Sequence, residues 1–152
     1  MLRRRWPVLL FALWTAYVWV TRIVNAWTVS AEAVSSKVIS TAVSVVMVAG
    51  AVALLAVLVR ARSRVLDATE MRILQAMGVA TLVVWAVRVP QILLDTGQGG
   101  PFKVVHVTLA LISLGLAGLT WRVAAREAVS RPPTPDGTSD TRGVSPAINA
   151  SR

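Results

Sequence analysis

The chain has 152 residues, of which 55% are hydrophobic and only 15% charged, with a formal net charge of +9 and a mean hydropathy of +0.65. This composition is too apolar for a water-soluble domain of this length and predicts an integral membrane protein. Because the sequence contains no cysteine, it excludes disulfide frameworks, iron–sulfur clusters, thiolate zinc sites and thiol catalysis. The basic residues stand mainly at the ends of apolar runs, so they favour a role in membrane topology over nucleic-acid binding.

The first apolar run covers residues 6–28 and follows three consecutive arginines. At about 1.5 Å per residue it is long enough to cross a hydrocarbon core of about 30 Å. A basic start followed by Ala31-Glu-Ala33 also resembles a secretory signal peptide with its cleavage site. We favour a membrane helix, because Arg22 interrupts the cleavage region and because a later segment repeats this one.

Three further apolar runs predict helices over about 38–59, 73–94 and 102–122. Asp67 and Glu70 have capping-box spacing just before the third helix, and Pro90 in its outer third is expected to kink it. The fourth helix carries small side chains of the kind that let helices approach closely in lipid, at Ala110, Ser113, Gly115, Ala117 and Gly118. We therefore predict an all-α integral membrane fold, with a four-helix transmembrane domain over 1–128 and a disordered cytoplasmic tail over 129–152.

The sequence repeats itself at an offset of 66 residues. The two lysines of the chain fall in register, and each is followed by valine. We therefore predict two tandem helical hairpins, 7–60 and 73–126, inserted in the same orientation about an axis along the membrane normal. The matched pairs include Thr15/Thr81, Trp19/Trp85, Arg22/Arg88, Asn25/Gln91 and Lys37/Lys103.

The basic residues are distributed unequally between the two sides of the predicted membrane domain. Twelve arginines lie in the N-terminal segment, the segment 60–72 and the region from Arg122 onward, whereas the other two connections hold only Lys37 and Lys103. The positive-inside rule then places both termini in the cytoplasm. Richness in Arg, Ala and Val is typical of GC-rich bacterial genomes, so we predict a multi-pass protein of a bacterial inner membrane.

Polar side chains in the outer third of helices one and three predict a binding site. Two arginines inside apolar runs are costly in lipid and usually face protein or water, and guanidinium groups bind phosphate or carboxylate bidentately. Against this binding site we favour the simpler interpretation that each arginine extends to the outer surface, or that one pairs with Asp95, with the tryptophans as interface anchors. The set predicted to converge on an anionic or lipid-like ligand is Trp19, Arg22, Asn25, Trp85, Arg88, Gln91, Asp95 and His106.

Catalysis finds little support in the sequence. His106 has no second histidine or carboxylate cluster near it, which favours a neutral, hydrogen-bonded side chain over a metal or haem ligand. Without a nucleophile–base spacing or a metal motif, we predict no enzyme, no metal and no cofactor. The predicted function is a non-enzymatic accessory or scaffold subunit of a membrane complex, with membrane lipids and other membrane proteins or a second copy as partners, and no nucleic acid.

The alternative function is a binder or carrier of a small anionic or lipid-like ligand at the Arg22/Arg88 cluster. For a carrier we expect a cavity between helices one and three at the height of Arg22. For a scaffold we expect the arginines to be directed to lipid or paired with Asp95.

Overall fold

The computed structural model describes residues 5–28 and 33–129. It contains four helices, α1 (Trp6–Thr28), α2 (Val34–Arg60), α3 (Ala68–Leu94) and α4 (Gly100–Val129), and no strand occurs among the described residues. All four helices are long and apolar enough to cross a membrane. The predicted all-helical class with four such helices is therefore confirmed. Of the predicted tail, Val129 ends α4 and residues 130–152 lie outside the described part of the chain.

Three helices extend beyond the apolar runs that indicate them. α2 begins at Val34 rather than near 38, α3 begins at Ala68 rather than near 73, and α4 ends at Val129 rather than near 122. Hydropathy marks only the length that suits lipid, whereas helical hydrogen bonding continues into polar residues. At the start of α3 the cause is the capping box, in which the Glu70 N–H donates to Asp67 Oδ1 at 2.8 Å and the Asp67 N–H donates to Glu70 Oε2 at 2.9 Å.

The four helices form a ring in which each contacts two neighbours. α1 packs against α2 and α4, and α3 packs against α4 and α2. Short connections between long helices make consecutive helices antiparallel, so the arrangement is an up–down–up–down bundle. The two hairpins, α1–α2 and α3–α4, contain the most extensive interfaces. As a result, α1 and α3 lie across the diagonal of the bundle.

The buried positions of each helix recur three and four residues apart, the spacing of left-handed helix packing. On α4 the buried side chains are all small, and larger ones such as Phe11, Leu54 and Leu74 fill the space opposite. This corrects the predicted small-residue stripe of helix four. Because the helix turns by 3.6 residues, its members divide between two faces: Ala110, Ser113 and Ala117 are buried inside the bundle, while Gly115 and Gly118 are exposed.

Large apolar side chains cover the outside of the bundle. Leu13, Val46, Leu82 and Leu111 are examples from the four helices, each at least half exposed. Soluble monomers rarely expose contiguous apolar patches of more than a few hundred Å². The exterior therefore suits a hydrocarbon solvent rather than water.

The buried faces of the two hairpins coincide at the offset of 66 residues. Buried Val8, Ala12, Thr15 and Trp19 of α1 correspond to Leu74, Gly78, Thr81 and Trp85 of α3, which are also buried. The same offset carries α2 onto α4, and the corresponding buried pairs there are Ser44/Ala110, Met47/Ser113, Ala51/Ala117, Leu54/Thr120 and Leu58/Ala124. One offset thus aligns the inner faces of both helix pairs.

Candidate functional site

Arg22 is held inside the first hairpin. Its Nε donates to Ser40 Oγ of α2 at 3.1 Å, and its guanidinium carbon lies 6.0 Å from the centre of the Trp19 ring. That distance is within the range of a cation–π interaction. Ser40 and Trp19 are both buried and Arg22 is half-buried, so Arg22 is directed at buried groups of the bundle.

Arg88 occupies the corresponding position of α3, one turn beyond the buried Trp85, and is also half-buried. Within the described part of the chain it has no hydrogen bond or ion pair. The 66-residue offset places His106 where α2 has Ser40, the partner of Arg22. His106, however, is engaged within its own helix, with Nδ1 2.9 Å from the Phe102 carbonyl oxygen and the two rings 3.9 Å apart. A carbonyl oxygen only accepts, so Nδ1 carries the proton.

The remaining predicted site residues lie at the ends of α1 and α3. Asp95 caps α3, and its Oδ1 accepts from the Gly97 N–H at 2.9 Å. This is the hydrogen bond of an Asx-turn, and no ion pair of Asp95 occurs among the described residues. Asn25 and Gln91 are exposed. The structure therefore joins Trp19 and Arg22 to Ser40, and it places Asp95 in a turn of its own.

The two arginines belong to different hairpins. With neighbouring helix axes about 10 Å apart, helices across a square bundle are separated by about 14 Å. A shared ligand would have to bridge the interior between α1 and α3. A groove among the described residues lies on the flank of the second hairpin.

An apolar groove of about 370 Å³ runs along α3 and α4 in the half of the bundle nearer the α3–α4 connection. Trp85, Ala86 and Pro90 form one wall, and Val107 and Leu111 form the other. Lys103 lies one turn before Val107, and its Nζ donates to the Leu93 carbonyl oxygen at 2.9 Å. The ammonium group is therefore placed at the C-terminal end of α3, about one turn beyond Pro90 of the groove. The sequence reasoning missed this groove, although small Ala86 and Ala110 among large neighbours were its signal.

At the opposite end of the bundle, Arg5 and Glu127 form a buried ion pair that the sequence reasoning also missed. Arg5 is only 7% exposed and Glu127 19%. Arg5 Nε and Nη2 donate to the two carboxylate oxygens of Glu127 at 2.7 and 2.8 Å. Bidentate pairs of this kind are among the strongest hydrogen-bonded contacts of side chains. The pair joins the start of α1 to the last turns of α4.

The same ion pair also holds the connection between α2 and α3. Arg5 donates through Nη1 to the Ala61 carbonyl oxygen and through Nη2 to that of Arg64 at 2.9 Å, while the Leu66 N–H donates to Glu127 Oε2 at 3.2 Å. We call these groups the inner clamp. A sequence signal was present, because Arg5 precedes Val8 by three residues and Glu127 follows Ala124 by three, which continues the inner-face spacing.

Arg64 makes a second ion pair beside the clamp. Its Nη1 and Nη2 donate to the two oxygens of Glu70 at 2.9 and 2.6 Å. This hydrogen-bonded carboxylate raises the pKa of the Arg64 guanidinium above its ordinary value. Glu70 is also part of the capping box, so one carboxylate fixes both the α2–α3 connection and the start of α3.

Two hydroxyls in the interior are left without a hydrogen-bond partner among the described residues. Thr81 is 2% exposed and Thr120 is fully buried. Leaving a buried hydroxyl unpaired costs about 1–3 kcal/mol. The interior of the bundle thus contains two hydroxyl groups whose hydrogen bonds are not satisfied by the described residues.

No group of three or more side chains suited to a metal ion lies together in the described part of the chain. Comparisons with protein-family models, with curated proteins and with solved structures found no match.

Proposed function

We propose that this chain is a multi-pass protein of a bacterial inner membrane that acts as a non-enzymatic accessory or scaffold subunit of a membrane complex. The observation that carries this proposal is the chemistry of the outward faces. α1 presents large side chains such as Leu13 and Tyr17 outward, whereas α2 presents Ala42, Ala49 and Ala56 at intervals of seven residues. Small residues repeated on one helix face allow another helix to approach closely in lipid.

α4 presents a similar outward face. Gly115 and Gly118 are exposed, and a side chain added at either would meet nothing within 4 Å. Among the described residues, no atom packs against the side-chain position of either glycine. A partner helix seated on α2 or α4 would give them a role, and that partner is another membrane protein or a second copy.

The proposed topology and the proposed duplication belong together. The inner clamp and the arginine-rich α2–α3 connection lie at one end of the bundle, which we assign to the cytoplasm by the positive-inside rule. The coincidence of the buried faces at an offset of 66 residues supports two hairpins inserted in the same orientation. An experimental structure in which 7–60 superposes on 73–126 only after a shift of several residues would reject the duplication.

A second function, the binding of an anionic or lipid-like ligand between Arg22 and Arg88, is favoured by the state of Arg88. A half-buried guanidinium without a partner among the described residues is costly in an apolar setting. An anion entering from the outer leaflet would supply the missing charge. Asp95, the other negative group nearby in sequence, is engaged in its own turn.

The scaffold proposal is tested by photo-crosslinking in intact membranes. A photo-reactive amino acid is placed singly at Ala49 and at Gly115, and at two exposed control positions on the other helices, Leu13 and Val83. We expect protein adducts of defined mass from the first two positions and only lipid adducts from the controls. Equal protein labelling at all four positions, or none at Ala49 and Gly115, would reject the scaffold surface.

A further inference from the structure

The α3–α4 groove has the dimensions of a site for one lipid chain. Its volume of about 370 Å³ falls within the usual range of small-molecule sites, about 300–1,000 Å³. From Lys103 to Leu114, the innermost α4 residue of the groove, the helix rises by about 17 Å at 1.5 Å per residue. Half of a hydrocarbon core is about 15 Å. Lys103 and the groove together thus span a distance that matches the one from the membrane surface to the middle of the bilayer.

The chemistry along the groove changes from charged to apolar in the same direction. The lining consists of hydrocarbon side chains together with the Trp85 indole. Lys103 stands at the outer end, and its bond to the Leu93 carbonyl uses one of the three ammonium donors. Two donors and the positive charge are left to contact a phosphate at the height of the lipid headgroups.

The corresponding place in the first hairpin is bridged by side chains. There Trp27 Nε1 donates to Thr41 Oγ1 at 2.9 Å, so the indole spans α1 and α2. At the offset of 66 residues these two positions are Leu93 and Val107, and Val20 is replaced by the smaller Ala86. The second hairpin therefore lacks the side chains that cross the first one, and its groove is left open.

We infer that the α3–α4 groove binds an anionic phospholipid of the outer leaflet, with one acyl chain along Ala86, Pro90 and Leu111 and the phosphate against Lys103. The inference rests on the proposed membrane location and topology. It differs from the Arg22/Arg88 proposal in its residues, because the groove lies on the flank of one hairpin and contains neither arginine.

The chain offers matched controls for a binding experiment. The purified full chain in detergent micelles is titrated with dioleoyl-phosphatidylglycerol or dioleoyl-phosphatidylcholine, and the rise in the midpoint of thermal unfolding gives the affinity. Ala86→Leu fills the groove, and Ala76→Leu adds the same group at an exposed α3 position outside it. Lys103→Gln removes the charge at the groove, and Lys37→Gln removes its counterpart in the first hairpin.

We expect the wild type to bind phosphatidylglycerol more tightly than phosphatidylcholine. Ala86→Leu should weaken both by more than about tenfold, since the chain no longer fits. Lys103→Gln should weaken phosphatidylglycerol alone by about fivefold, the usual worth of one interfacial cation. Ala76→Leu and Lys37→Gln should bind as the wild type does.

Three results would overturn the inference: unchanged affinity in Ala86→Leu, equal losses in Lys103→Gln and Lys37→Gln, or equal affinity of the wild type for the two lipids. The second result would mean that charge attracts lipid without a defined site. Because this titration uses no partner protein, its outcome is independent of the cross-linking at Ala49 and Gly115, and either proposal can fail alone.

Discussion

Arg5 connects parts of the chain that are far apart in sequence. Its guanidinium contacts the carboxylate of Glu127 and two carbonyl oxygens of the α2–α3 connection. All five N–H donors of an arginine lie in one plane, which lets a single side chain satisfy several acceptors at once. A residue that serves the positive-inside rule by its charge therefore also has a packing role.

Glu127→Gln tests how much the inner clamp contributes to the free energy of unfolding. Breaking a buried ion pair leaves a charge without its partner, which costs about 3–5 kcal/mol. Since Glu127 is 19% exposed, we expect the lower end of that range, about 3 kcal/mol, in thermal or denaturant unfolding in detergent. Arg122→Gln, an exposed position of α4, is the matched control, with an expected change of less than about 0.5 kcal/mol.

The double variant Arg5→Met/Glu127→Leu separates a cost of orphaned charge from a cost of lost packing. If the cost is electrostatic, the double variant should be more stable than Glu127→Gln alone, because neither charge remains. A double variant as unstable as the sum of the single changes would contradict this account.

The surroundings of Arg22 and Arg88 predict opposite effects of the same substitution. Arg22→Gln loses a hydrogen bond from a charged donor to Ser40, worth about 1.5–3 kcal/mol. Arg88→Gln removes a half-buried charge that has no partner among the described residues, so stability in detergent should be unchanged or higher. Unfolding midpoints measured with and without anionic lipid check both expectations.

A joint anion site would give a different pattern in the same experiment. Lipid-dependent stabilisation would then disappear in both variants, because each guanidinium holds part of the ligand. Asp95→Asn serves as a control. Asparagine can accept the Gly97 N–H as aspartate does, so we expect a change of less than about 0.5 kcal/mol, whereas a large loss would restore the pairing of Asp95 with an arginine.

At the scale of the helices, Gly50 of α2 leaves room for the Met77 side chain of α3. A Cβ at Gly50 would lie 2.1 Å from the sulfur of Met77, whereas a Cβ at Gly118 would meet nothing within 4 Å. Gly50→Leu should therefore displace the flexible end of the Met77 side chain and cost about 1 kcal/mol, the lower part of the range for overpacking. Gly118→Leu should cost nothing, as measured by unfolding of the isolated chain. Equal losses at the two positions would contradict the close α2–α3 approach.

The apolar runs alone indicated the number and type of the helices, because about 20 apolar residues in succession have few other structures available. The capping-box spacing of Asp67 and Glu70 could also be recognised in the sequence. The helix ends were not, since residues 34–37 and 123–129, which include Lys37, Arg126 and Glu127, extend the helices beyond the apolar runs.

Whether a helix residue is buried or exposed could be predicted only with knowledge of the neighbouring helices. Gly115 and Ala117 look alike in sequence, yet one is exposed and the other buried. Helical phase could have separated them, but only after the inner face had been identified. The candidate site was foreseen as a shared outer cluster. The ring order of the helices, which no sequence pattern here determines, places the helices of its two arginines across the diagonal of the bundle.

At the scale of the whole molecule, the ends of the bundle differ sharply in charge. Cysteines introduced singly at Ser35, Ser63 and Ser139 test the topology in a chain that has none of its own. Ser139 lies outside the described residues. If both termini are cytoplasmic, an impermeant maleimide should label only position 35 in intact cells. Labelling at 63 or 139, but not at 35, would invert the assignment.

The inner clamp also sets an order of events during synthesis. Arg5 is synthesised before α1, whereas Glu127 is synthesised only after almost all of α4. The Arg5 guanidinium therefore has no Glu127 carboxylate to bind until the fourth helix has left the ribosome. Throughout that interval the arginine must stay hydrated at the membrane surface. A chain that stops before Glu127 leaves the arginine permanently without its carboxylate. The contacts at the start of the first helix thus form only when the last helix is complete. Quality-control proteases should therefore remove truncated chains faster than full-length ones.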